Sequence, residues 1–499
     1  MNSALVTFII YLVILLIIGW IAFKATKSYD DYVLAGRGLN PWVTSLSAQA
    51  SDMSSFLLMG LPGAAYVSGM SSIWTAIGLT AGTLFNWRYV AKRLRRFTEI
   101  TNSMTISNFL EARFEDESKL LRIVTSIIIV VFFIVNISAE LVGSGKLLSA
   151  TFGYNYNFSL MIGLGIVVLY TVIGGFFAVA WTDFFQGMLI FLGVIMIPLI
   201  LIPDVGGFGH IINEMGKASP DLLAVMNNES GWLAFSGIVI GALALSIGYP
   251  GQPHILVRFM AIKRPSEMRK GMLIAMVWVI ASLYGAILIG LIGHGANMNI
   301  DDPENVIVYL AQTFLSPWMV GVIVAIVMSA IMSSVSSYLL VAATAVAEDF
   351  FAQIFNKQLD ERTLKIIGQI SIVLVSIIAF LLARPGGFVF VLALFAWAGL
   401  GSSIGTVILL SLYWKRTTKW GAITGLIVGM LTTILWYSLG LSVYIHEIFP
   451  GFLLSMLSII IVSLMTDPPS KEMMSALEQS KRPLQSEYEA LEAHLNGQE

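Results

Sequence analysis

The sequence predicts an all-α integral membrane fold of 13 transmembrane helices, with helices two and seven discontinuous. Three observations carry that expectation. Of the 499 residues, 57% are hydrophobic and only 12% charged, and the mean hydropathy is +0.83; a soluble domain carries about twice that share of charge. Apolar runs long enough to cross a bilayer recur from one end of the chain to the other. Two of those runs also hold clusters of glycine and proline, which remove helix donors and loosen the backbone.

Read in order, the spans are 5–24, 42–67, 71–91, 121–149, 158–180, 182–203, 231–256, 270–296, 317–346, 364–384, 387–413, 420–441 and 447–466. The first begins almost at the amino end and is long enough to be a span rather than a cleavable leader. Spans five and six are parted only by Trp181–Thr182–Asp183. Charge orients the stack. With the amino terminus outside, alternate loops place Lys24, Lys27, Arg37, Arg88 to Arg96, Arg113, Lys119, Arg122, Arg258 to Lys270, Lys357 to Lys365, Lys415 to Lys419 and the tail on the inner side. Of the 28 basic residues only Lys146, Lys217 and Arg384 fall outside. The positive-inside rule then predicts N-out, C-in and an odd number of spans in the cell membrane.

The chain divides accordingly into a first helix with its inner loop (1–41), spans two to six (42–203), an external loop (204–230), spans seven to eleven (231–413), spans twelve and thirteen (414–466) and a cytoplasmic tail (467–499). Gly206–Lys217 and Asp302–Phe314 are amphipathic and are expected on the outer surface or over an outer vestibule. Phe97–Glu117 reads as an inner surface helix, and the tail as polar, partly helical and dispensable for the chemistry.

Span two, within Ser45–Gly69, carries Asp52, several serines and the tetrad Gly60–Leu61–Pro62–Gly63. A carboxylate at membrane depth costs about 2.5–3.5 kcal/mol on insertion scales, so it faces protein or a watery cavity. The tetrad is expected to break the helix and free carbonyls that protein, water or an ion must satisfy. A kinked helix with Asp52 as a cap is the alternative. Span seven has a second such cluster, LSIGYPGQPH at 245–254. Two interrupted spans, five apart, point to an inverted repeat of spans two to six and seven to eleven with its site at the midplane. In span nine, Ser329, Ser333, Ser336 and Ser337 recur at helical spacing, and Ala330, Ser333 and Ser334 share a face. These small residues either pack helices closely or present oxygens to the break in span two.

The segments AQASDMSSFLLMGLPGA, IGGFFAVAWTD (173–183), GYPGQPHILVRFMA (248–261), MSAIMSS and FAWAGLGSSIG together resemble the sodium/solute symporter family, and within it the sodium/proline branch. The likeness runs in order over nearly the whole chain. It implies a leucine-transporter-type core of five plus five helices, one helix before it and two after. It also implies sodium-driven import of a small zwitterionic solute, L-proline first among them. Carried over residue by residue, it implies Na+ at the carbonyls of Ala50, Met53 and Ala330 and the hydroxyls of Ser333 and Ser334. Arg37 and Asp52 match coupling positions, and Asp183 a polar position on the inner side of span five. The solute pocket matches Ser54, Gly60, Tyr249 and Pro253.

Three positions depart from the proline pattern: Phe56, Asn136 and Leu245 differ where proline carriers place their aromatics. Glu140 lies one turn from Asn136 on the same face of span four. As a pocket residue it would favour a larger polar or cationic amino acid; as an ion-pair partner of Lys146 it would not. Arg258 reads as a topology signal and His254 as a structural histidine or part of the inner path. A membrane-embedded enzyme would need paired aspartates or a His-Glu-x-x-His helix, and Asp52 is the one aspartate expected deep in a span. A channel lacks support because no pore loop repeats. The partners expected are sodium, the solute and the lipid bilayer, with no nucleic acid; with no cysteine, thiol chemistry is excluded. Oligomeric state is left open.

Overall fold

The computed structural model describes residues 3–25, 29–226, 235–351, 361–485 and 487–488. The expected start of span seven at 231–234, Lys27, Lys357 and the tail from 489 lie outside the described residues. The long elements are all helices: α1 (Ser3–Ala25), α2 (Pro41–Ser55), α3 (Leu61–Ser68), α4 (Ile73–Phe85), α5 (Lys92–Ile100), α6 (Ile106–Arg113), α7 (Leu120–Phe152), α8 (Tyr156–Asp204), α9 (Pro253–Ala261), α10 (Met268–Gly295), α11 (Val306–Phe314), α12 (Pro317–Thr344), α13 (Glu361–Ala383), α14 (Val389–Leu400), α15 (Thr406–Tyr413), α16 (Lys419–Ser438), α17 (Ile448–Met465) and α18 (Lys471–Gln479).

Among the described residues, ten helical segments are long and apolar enough to cross a membrane. The number is lower than the spans expected because spans two and three run together and two apolar segments, Tyr156–Leu169 and Ile238–Gly251, are shorter. Pro41–Ile100 runs together over 60 residues, roughly 90 Å if straight and three times the hydrocarbon core; Ser54 (φ 50°) and Gly69 (φ 58°) interrupt it. Helix α8 runs 49 residues and is broken at Gly175 (φ 69°, ψ 173°). A side chain at Gly175 would also strike the Tyr32 ring, so glycine is required there twice over. The divide between spans five and six therefore lies at Gly175 and not at Trp181–Asp183. Asp183 is consequently inside the second limb and fully buried, a second aspartate deep within a span.

The breaks in the two interrupted helices follow different rules. Asn40 caps α2, its side chain accepting from the amides of Trp42 and Val43 at 3.0 Å each. That helix ends at Ser54, which adopts φ 50° and ψ −166°. A widened turn, Phe56–Gly60, then leads into α3. The expected break at Gly60–Gly63 is displaced: Pro62 sits in the first turn of α3, where a missing amide hydrogen costs nothing. In the second interrupted helix, a tight turn over Leu245–Gly251 ends at extended Gln252 (φ −92°, ψ 98°), and Pro253 opens α9, as the sequence suggests.

Helix α12 is the centre of the molecule and packs on α1, α2, α7 and α8. The loops are less superficial than expected. Phe97, Phe109, Leu110 and Arg113 are fully buried, so 97–117 is two inward-packed helices, α5 and α6, rather than one surface helix. Glu304 before α11 is also buried, whereas Phe208–Ala218 is a short amphipathic helix. On the face bearing the basic loops, the start of α2 and the end of α9 meet. The Leu39 amide donates to Ala261 O (3.1 Å) and the Lys263 amide to Leu39 O (2.8 Å). Arg37 braces this joint by donating to Thr98 O (2.9 Å) and Ser103 O (2.8 Å).

Candidate ion and solute site

The break at Ser54 leaves helix amides without intrahelical partners, and a side chain from α7 meets them. Glu140, almost wholly buried, accepts from the Ser55 amide at 2.9 Å, and the Ser54 hydroxyl accepts from the Phe56 amide at 3.1 Å. A carboxylate against the amino end of a half-helix satisfies its donors and complements its dipole. Lys146 is engaged elsewhere, at 2.8 Å from Asp302 and 2.6 Å from Glu304, so the alternative of a Glu140–Lys146 ion pair is not realised.

Beside the break lies a small cavity of about 30 Å³. Asp52, Met53, Ser54, Phe56, Asn136 and Tyr249 line it, with Leu79, Tyr338, Leu394 and Trp397. Phe56 stacks on Phe390 at 5.3 Å and closes one end. Tyr249 meets Trp397 edge to face at 4.7 Å, and the Trp397 indole donates to Leu245 O at 3.1 Å. Gly60, Glu140, Leu245 and Pro253 are not in the lining. Gly60 backs onto Phe390, and Leu245 contributes its carbonyl to Trp397. Pro253 borders a separate small cavity of about 20 Å³ with Thr105, Thr344 and Asp349. Trp397 and Tyr338 were not singled out from the sequence, although Trp397 stands inside FAWAGLGSSIG.

The polar face of α12 reaches the carboxyl end of α2. The Ser333 hydroxyl donates to Ala50 O at 2.8 Å and approaches Ser329 O (2.8 Å) and Ala330 O (3.1 Å). Ser334 lies 3.4 Å from the same Ala50 carbonyl. Ala50, Ala330, Ser333 and Ser334 thus converge as neutral oxygens, the donor set suited to a hard cation. Met53 is one turn on, and its carbonyl accepts from the Phe56 amide across the break.

Charged groups lie immediately beneath. Asp52 Oδ1 is 4.0 Å from His254 Nε2. Asp52 Oδ2, the Tyr249 hydroxyl and both His254 ring nitrogens have no hydrogen-bond partner among the described residues. The His254 ring packs edge-on to Tyr338 at 4.8 Å, so it is not the hydrogen-bonded histidine expected. Arg258 is no topology signal. Fully buried, it pairs with Asp183 Oδ2 at 2.7 Å. It also donates to Ser47 Oγ (2.7 Å), Ser337 Oγ (2.6 Å) and His254 O (2.5 Å). Four helices, α2, α8, α9 and α12, are joined by this one guanidinium. Arg37 stands apart from the cavity, on the basic-loop face.

The profile of the sodium:solute symporter family matches residues 32–429. The high-affinity proline transporter PutP of Bacillus subtilis (strain 168) is 43% identical over 466 residues, covering 92% of this chain and 97% of that protein. The sodium/proline symporter of Escherichia coli (strain K12) is 39% identical over 485 residues, 94% of each. Among solved structures, the substrate-bound, outward-open state of a Na+-coupled sialic acid symporter superposes with a TM-score of 0.79 at 20% identity, covering 94% of this chain and 99% of the other. At that identity the likeness speaks for the fold, a leucine-transporter-type arrangement.

Proposed function

The chain belongs to the sodium:solute symporter family, and on that premise we propose that it imports L-proline together with sodium across the cell membrane by alternating access. The single observation that supports this most directly is the adjacency of two sites at one helix break. The oxygens of Ala50, Ala330, Ser333 and Ser334 lie on one side, and the cavity of Ser54, Asn136, Tyr249 and Trp397 on the other. Sodium held by these oxygens, with the Met53 carbonyl, would tie α2 to α12 and so pre-form the cavity wall. The aromatic lining suits a pyrrolidine ring, and half-helix ends suit a zwitterion.

In this reading the chain has thirteen spans, N-out and C-in, with five-plus-five repeats at 42–203 and 231–413 flanked by one span before and two after. Asp52 and Asp183 serve coupling. One sodium crossing about 100 mV supplies roughly 2.3 kcal/mol, and a tenfold sodium gradient about 1.4 more, enough to hold a solute gradient of several hundredfold. A larger polar or cationic amino acid is disfavoured because Glu140 is occupied by the Ser55 amide. Labelled proline, beside a panel of polar and cationic amino acids, in proteoliposomes with and without an inward sodium gradient tests this. Sodium-dependent proline uptake is expected; uptake of a cationic amino acid in its place would overturn the assignment.

A further inference from the structure

The tail, expected to be polar, partly helical and dispensable for the chemistry, is helical over Lys471–Gln479 and packs on the basic-loop face. Ser470 starts α18: its hydroxyl accepts from the Met473 amide (3.0 Å) and donates to Glu115 Oε1 (2.8 Å). Leu477 is fully buried, and Glu478 pairs with Lys415 at 2.5 Å. Further on, Glu487 receives both Arg96 Nε (2.6 Å) and Nη2 (3.1 Å), while Arg96 Nη1 donates to Lys481 O (3.3 Å). The Arg96 and Glu487 side chains are only 6% and 7% exposed. A disordered tail does not bury a bidentate ion pair, because desolvation is offset only when geometry is held.

The neighbour of Arg96 leads to the joint between the interrupted helices. Arg95 donates to Ile262 O (2.9 Å) and Lys263 O (3.3 Å), in the stretch that pairs with Leu39 and so joins α2 to α9. The tail thereby spans three connections: α5, the turn before α7 at Glu115 and the turn after α15 at Lys415. Through the adjacent Arg95 and Arg96, helix α5 carries both a contact to the α2–α9 joint and the buried pair to the tail.

We propose that residues 470–485 with Glu487 form an electrostatic strap that holds the basic-loop face closed, and that releasing it favours the conformation open on that face. The Lys415–Glu478 pair is 49% and 43% exposed and is screened by salt, whereas the buried Arg96–Glu487 pair is screened much less. Hydrogen bonds from Lys415 and then Lys481 hold the Glu478 carboxyl down at about 2, so its charge persists through neutral pH. The strap therefore weakens partially as ionic strength rises on its side and is released fully only when the Arg96 pair is broken. This rests on the alternating-access reading.

The chain has no cysteine, so Thr344→Cys, in the cavity beside Pro253 and Asp349, provides a single thiol. Maleimide labelling of the full-length protein in nanodiscs reports opening directly. Glu487→Gln is expected to label about fivefold faster or more. The reversed pair, Arg96→Glu with Glu487→Arg, is expected to restore the slow rate. A chain ending at Pro469 serves as second release variant if Glu487→Gln does not fold. Equal labelling in the parent and the release variants would overturn the strap. Labelling of the parent that ignores both sodium and proline would instead overturn the transport reading.

Discussion

At Ser333 the hydroxyl sits between the α2 carbonyl of Ala50 and its own helix carbonyls, a position that serves either an ion or helix packing. Replacing Ser333 and Ser334 together by alanine separates the two roles. The sodium concentration for half-maximal uptake is expected to rise tenfold or more, about 1.4 kcal/mol, with solute affinity at saturating sodium much less changed. An unaltered sodium dependence would reduce the serines to a packing face. Asp52→Asn keeps shape and removes the charge beside His254; insertion should be normal and sodium-driven uptake lost, whereas parental uptake would make Asp52 a structural residue. Glu140 is the test of the helix break. Glu140→Gln retains an acceptor for the Ser55 amide and should keep proline uptake. Glu140→Ala orphans a buried donor, a cost of about 1–3 kcal/mol, read as a lower melting temperature in detergent. A shift of Glu140→Gln toward cationic amino acids in competition assays would restore its role as a selectivity group.

Among the elements, Arg258 braces four helices. Its guanidinium and the Asp183 carboxylate are both fully buried, so the loss of one strands the other. Arg258→Met is expected to destabilise the protein by about 3–5 kcal/mol, and Asp183→Asn with Arg258→Met to recover most of that. Thermal unfolding of the single and double variants decides: equal losses in both would mean that the pair contributes nothing beyond packing. The breaks at Ser54 and Gly175 work through the backbone. Neither residue stands in a glycine–proline cluster of the kind that marks Gln252, which is why such clusters located one interruption and misplaced that of span two, while the turn at Gly175 went unmarked.

For the whole molecule, orientation is the property that basic loops specify. Single cysteines at Lys217 and Lys270 should react with a membrane-impermeant maleimide from opposite sides in right-side-out vesicles, Lys217→Cys from outside and Lys270→Cys only after permeabilisation. Labelling of both from one side would require the stack to be redrawn.

The sequence alone determined what depends on neighbours along the chain. Apolar run length set helix after helix, and Gly–Tyr–Pro–Gly–Gln–Pro set the break before α9. Residues that converge across α2 and α12 were within reach only through a motif resemblance, since Ala50 and Ser333 are far apart in sequence. Tertiary structure decided every lone charge. Glu140 was legible as an oddity but not as the cap of an amide 85 positions away. Arg258 read like its basic neighbours until its partner came from another helix, and nothing along the chain pairs Glu487 with Arg96. The reason is physical: hydrophobic length and backbone punctuation are local, whereas a buried polar group is satisfied by whichever partner the packing delivers.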